Sequence, residues 1–168
     1  MLNYLFSYLS SDFSFLNIFK YITFRTGVAI FTSLSLVLFF GGPFIKYLKF
    51  SKHFDQPIRN DGPLSHIIKK AGTPTFGGVL IIFSAIISSL LWADIKNIYV
   101  LISIFSILSF SLIGFFDDYL KIIKGNSSGV KARYKFLLQI IFAAMIVYLI
   151  NISTAENIRN VLHLPFYK

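Results

Sequence analysis

Four stretches of this chain run for twenty residues or more without a single Asp, Glu, Lys or Arg: Thr26–Ile45, Ala71–Ala93, Asn97–Phe116 and Phe136–Ala155. About 20 apolar residues are what one helix needs to cross the hydrocarbon core of a bilayer. Segments exposed to lipid must satisfy their own backbone hydrogen bonds. These windows are too long for barrel strands and lack strict alternation, so all four are expected to be helices. The composition agrees, with 55% hydrophobic and 18% aromatic residues and a mean hydropathy of +0.71. That is well above the usual share in soluble domains. The expected fold is all-α: a polytopic membrane helix bundle with four transmembrane helices, forming a single domain over residues 1–168.

The net charge of +9 suits anionic lipid or a phosphorylated substrate, and the hydropathy argues against nucleic acid. With no cysteine there is no disulfide framework, thiolate metal site or Cys nucleophile. Eleven of the sixteen Lys and Arg fall in two connections, Lys46–Lys70 and Lys121–Lys135. The positive-inside bias therefore puts both connections in the cytoplasm and both termini outside. The first twenty residues, MLNYLFSYLSSDFSFLNIFK, are apolar and aromatic, interrupted by Ser and Asp12, and no basic residue precedes Lys20. That pattern does not fit the basic start of a signal peptide. It predicts an interfacial helical segment on the outer leaflet, with a disordered aromatic tail as the alternative.

The third window closes on GFFDDYL, which sets Asp117 and Asp118 side by side in a chain with only seven acidic residues. If the helix stops there, its last turn carries partial negative charge and disfavours acids. The simpler explanation is neutralisation by Lys121, four residues after Asp117 on the same helical face. The other is a divalent cation. Mg²⁺ typically binds through one or two carboxylates together with substrate phosphates and water. The lysines that follow suit such phosphates. In the first connection, Lys69 and Lys70 precede AGTPTFGG, a Gly- and Pro-punctuated entry to the second window, and helix N-termini present unpaired N–H groups to anions. No Walker P-loop occurs. His53, His66 and His163 have no partner at metal-ligand spacing.

RNDGPLSHIIKKAGTPTFGG (Arg59–Gly78), GFFDDYLKI (Gly114–Ile122) and GVKARYKF (Gly129–Phe136) together resemble the phospho-N-acetylmuramoyl-pentapeptide transferase family. Members of that family are multi-pass enzymes of the bacterial inner membrane. They move phospho-N-acetylmuramoyl-pentapeptide from its UDP carrier to undecaprenyl phosphate, releasing UMP and forming the first lipid-linked precursor of peptidoglycan. The resemblance implies catalytic and Mg²⁺-binding roles for Asp117 and Asp118, one of them a candidate base for the lipid phosphate. It implies substrate-binding roles for Lys70, Thr75, Lys121, Arg133 and Lys135. Phe76 stands where the family often has Met, a change that nearly conserves volume.

The resemblance covers the amino-terminal half of a longer family pattern. A later aspartate-bearing loop and a histidine-rich motif lie beyond it, so these residues supply part of a split site and are expected to be inactive alone. A carboxy-terminal half is then a necessary partner, and a homodimer is a candidate assembly. Gly77, Gly78, Ser84 and Ala85 are expected to offer a small-residue surface to further spans. Two other readings compete: a related polyprenyl-phosphate N-acetylhexosamine-1-phosphate transferase, and a non-catalytic membrane protein.

Overall fold

The computed structural model describes residues 2–9, 13–50, 76–125 and 129–155, and every described element is helical. A short helix α1 (Leu2–Leu9) and a 3₁₀ segment (Ser14–Lys20) lead into α2 (Ile22–Phe50), α3 (Gly77–Trp92), α4 (Ile98–Lys124) and α5 (Ala132–Ser153). Three of these, α2, α4 and α5, are long and apolar enough to cross a membrane. The second charge-free window differs from expectation. Its described helix has only 16 residues, because it starts at Gly77 after Phe76 takes up a left-handed conformation (φ 71°). At 1.5 Å per residue, α3 is about 24 Å long, short of a core about 30 Å thick. Residues 71–75 of that window lie outside the described residues.

The four long elements run antiparallel in chain order, and polar side chains fix the pairing. Ser88 Oγ of α3 donates to the Ala29 carbonyl of α2, and the Trp92 indole N–H donates to Thr32 Oγ1 at 3.0 Å. Nearer the other end of this pair, Gly41 lies under Leu80. At the far end of α4 and α5, the Tyr99 hydroxyl donates to the Ser153 carbonyl and Thr154 Oγ1, both at 3.3 Å. In an apolar surrounding such bonds satisfy groups that lipid cannot.

α2 packs on α3, α3 on α4 and α4 on α5. Among the described residues no Cα of α2 comes within 8 Å of one in α4 or α5, and none of α3 within 8 Å of one in α5. The helices thus form an open row, all-α as expected, with three of the four expected spans long enough to cross a membrane. Core burial is sparse in consequence. Among the described residues the buried apolar ones are Leu16, Leu48, Phe76, Ile102 and Ile113, and α5 buries none. The small-residue surface also differs from expectation: Ser84 is buried and Ala85 half-buried, leaving Gly77 and Gly78 exposed. Between α2 and α3, toward the α3 N-terminus, an apolar groove of about 680 Å³ is lined by residues including Phe40, Pro43, Phe44, Tyr47 and Phe83.

The N-terminal segment is helical and docked. Phe6 stacks on Phe19 with ring centroids 4.4 Å apart, and Phe19 stacks on Trp92 at 5.7 Å, at the C-terminus of α3. Large aromatic faces in offset contact bury considerable apolar area at little entropic cost. The opposite end of the row holds the C-termini of α2 and α4 and the N-termini of α3 and α5, and both aspartates.

Candidate functional site at the α4–α5 turn

The aspartates do not end their helix. α4 continues past Phe116 to Lys124, so Asp117 and Asp118 sit about two turns before its C-terminus. The expectation that the pair occupies a disfavoured last turn is therefore corrected. Lys121 and Lys124 fill that turn, where cations are favoured, and Gly125 closes it in the left-handed conformation (φ 59°), donating its N–H to the Ile122 carbonyl at 3.1 Å. The acids are thus carried on helical turns that project beyond the charge-free stretch.

Asp117 is the inner residue of the pair, with its side chain 12% exposed, and four groups converge on it. Lys121 Nζ lies 2.7 Å from Oδ2, one helical turn along α4. Lys135 Nζ, from the first turns of α5, lies 3.4 Å from the same oxygen. The Val130 N–H donates to Oδ1 at 3.0 Å. Gly129 packs directly against the carboxylate. The Asp118 side chain is 37% exposed and, among the described residues, receives one bond, from Lys121 Nζ to Oδ1 at 3.1 Å. Lys121 therefore bridges the two acids, as the spacing predicted.

Burial alone raises the pKa of Asp117. The Lys121 hydrogen bond, the Val130 N–H and the charges of Lys121 and Lys135 outweigh it and hold the carboxyl below the ordinary aspartate range. The Asp117 contact in turn raises Lys121. These contacts favour the ionised form of Asp117.

Lys121 and Lys135 thus meet at Asp117. Arg133 does not join them; it is exposed on the first turn of α5. Lys70, Thr75 and all three histidines lie outside the described residues. Phe76 is buried, with its ring 5.1 Å from that of Phe115, and so ties the start of α3 to the turn of α4 that precedes Asp117. Two participants were not singled out from the sequence: the Val130 N–H, since backbone donors leave no residue-type signal, and Gly129, whose only signal was its place at the head of GVKARYKF.

The oxygen donors are of the kind a hard cation takes. Among the described residues no three His, Cys, Asp or Glu lie together. Both Asp117 oxygens are engaged, and Lys121 stands between the acids. Among the described residues Asp118 is the carboxylate with fewer donors on it. Two carboxylates of this kind fit Mg²⁺ shared with substrate phosphates, and are too few for an all-protein cage.

A protein named phospho-N-acetylmuramoyl-pentapeptide-transferase from Pelagibacter ubique is 46% identical over 100% of this chain. By sequence the chain belongs to this transferase family, matching its amino-terminal part. Proteins of the same name from Rickettsia prowazekii (46% identical over 90% of the chain) and Thermodesulfovibrio yellowstonii (44% over 95%) agree. The chain spans less than half the length of these relatives: 46%, 42% and 44% respectively. No family model matches it.

Proposed function

We propose that these residues form the amino-terminal part of a Mg²⁺-dependent transferase. It moves phospho-N-acetylmuramoyl-pentapeptide from UDP to undecaprenyl phosphate at the cytoplasmic face of a bacterial inner membrane. The observation that carries this reading is the convergence on Asp117 of lysines from two helices and a backbone N–H from the turn between them. Phosphates entering here meet cations that are already oriented. The names of the relatives supply the transferred group.

In the reaction, an oxygen of the acceptor phosphate attacks the phosphorus that bears the sugar. The bond from that phosphorus to the bridging oxygen breaks, and the oxygen leaves with UMP. Like charges approach throughout, so electrostatic stabilisation is the main contribution required. Lys121 and Lys135 exchange part of their contact with Asp117 for phosphate oxygens, while Asp117 stays ionised and keeps both lysines in place. Asp118, the freer carboxylate, would hold Mg²⁺ with Asp117 beside it; the ion, when bound, supplies charge neutralisation to the phosphates. Asp118, the less buried of the two, is the candidate base for the acceptor phosphate.

Assay of UMP release by a full-length relative carrying these residues tests the substrate. UDP-N-acetylmuramoyl-pentapeptide is expected to support turnover, and UDP-N-acetylglucosamine is not. Comparable rates with both would favour the related N-acetylhexosamine-1-phosphate transferase, and turnover with neither would favour the non-catalytic reading.

The proposed orientation has its own test. Single cysteines replacing Lys49 or Lys131 in this cysteine-free chain are expected to react with a membrane-impermeant thiol reagent only from the cytoplasmic side. Cysteines replacing Lys20 or Asp94 are expected to react only from outside. The reverse pattern would place the aspartates on the wrong side for a nucleotide sugar.

A further inference from the structure

Gly129 has no positive φ, so its lack of a side chain is not required by backbone conformation. The requirement comes from space. A Cβ built at Gly129 would lie 2.8 Å from Asp117 Cγ and 2.9 Å from the Asp117 backbone oxygen, and closer still to Oδ1. Carbon atoms in ordinary contact are about 3.5–4.0 Å apart. Any side chain here must therefore push the turn and the carboxylate apart by about 1 Å. One of the atoms met belongs to the hydrogen-bonded backbone of α4, so rotation of a flexible side chain cannot relieve the clash. By contrast, a Cβ at Gly77, Gly78 or Gly114 meets nothing within 4 Å.

We propose that Gly129 is a positioning residue: its missing side chain lets the α4–α5 turn close onto Asp117, so that the Val130 N–H and Lys135 both reach one carboxylate. This inference rests on the reading of Asp117 as part of the phosphate centre. The Val130 N–H sets the rotation of the carboxylate from one side while Lys121 and Lys135 hold its other oxygen. Closing the turn also fixes where α5 begins. The second lysine is thereby delivered from a different helix, 18 residues along the chain from the acid it meets.

The test uses a full-length relative carrying these residues, in lipid nanodiscs. A misplacement of about 1 Å at a catalytic group can lower a rate about 100-fold. Gly129→Ala is accordingly expected to lower kcat by about 100-fold with little change in KM for the UDP-sugar. Amide-resolved hydrogen exchange provides a readout independent of activity. Val130 is expected to be protected in the unsubstituted protein and to lose that protection in Gly129→Ala, while the amides of α4 from Ile102 to Ile113 keep theirs. Loss of protection throughout α4 and α5 would mean general destabilisation and would overturn the positioning role.

A Val130 amide that exchanges freely in the unsubstituted protein would overturn the proposal without any variant. So would wild-type kcat in Gly129→Ala alongside an inactive Asp117→Asn. If Asp117→Asn instead retains full turnover, the functional reading of the site fails. The Val130 exchange result then still decides whether Gly129 closes the turn.

Discussion

Replacing Asp117 by Asn in a full-length relative carrying these residues is expected to lower transfer by two to three orders of magnitude while leaving membrane insertion intact. Asparagine keeps the shape of the side chain, and its oxygen can still accept the Val130 N–H. What it loses is the negative charge that keeps Lys121 and Lys135 together, 2.7 and 3.4 Å from one oxygen. Without that charge the two ammonium groups repel each other and no longer present a common face to the phosphates. Removing one element of a preorganised electrostatic site typically costs about 10²–10³ in kcat. Insertion is decided by the apolar spans and is not expected to respond. UMP release per unit of membrane-extracted protein measures the effect; near-normal turnover at limiting Mg²⁺ would reduce the acidic pair to a neutralised surface feature.

The second large effect is expected from the 168-residue chain by itself: insertion into the membrane without measurable transfer. The described part of the site has two carboxylates, of which Asp117 already receives two lysines and a backbone N–H. Mg²⁺ held so loosely at a wet surface does not orient two mutually repelling phosphates, and orientation accounts for much of what such an enzyme contributes. The open row of helices points the same way. α5 buries no residue, and Phe136, Ile140, Val147 and Tyr148 along it are each more than half exposed. Sustained release of UMP from UDP-N-acetylmuramoyl-pentapeptide by the purified chain, with undecaprenyl phosphate and Mg²⁺, would show that its site is complete and that the split-site account is wrong.

The helices were legible because lack of charge over about 20 residues has one main structural solution in a bilayer. Their ends were less so. Nothing in the hydropathy announces that α4 continues through Asp117 and Asp118, since the continuation depends on charged residues that favour helix locally: Lys121 pairs back to both acids, and Gly125 supplies the stop. The late start of α3 follows from the left-handed Phe76, a conformation that sequence patterns do not predict for a large side chain. At the site, helical spacing identified the Asp117–Lys121 pair. Lys135 was legible as one of the basic residues of the second connection and from the family resemblance, but not its contact with Asp117, which crosses between helices. Gly129 and Val130 became visible only when the turn was seen folded against the carboxylate.

The central claim, that Asp117 and Asp118 sit where metal and substrate phosphates meet, is tested most directly by putting Mn²⁺ in place of Mg²⁺. The measurement is electron paramagnetic resonance of a full-length relative carrying these residues, with UDP-N-acetylmuramoyl-pentapeptide bound. The account predicts phosphorus hyperfine coupling on the protein-bound Mn²⁺, with the bound-metal signal lost or greatly weakened in Asp118→Asn and in Asp117→Asn. A bound Mn²⁺ signal with the same phosphorus coupling and the same affinity in both variants would contradict it.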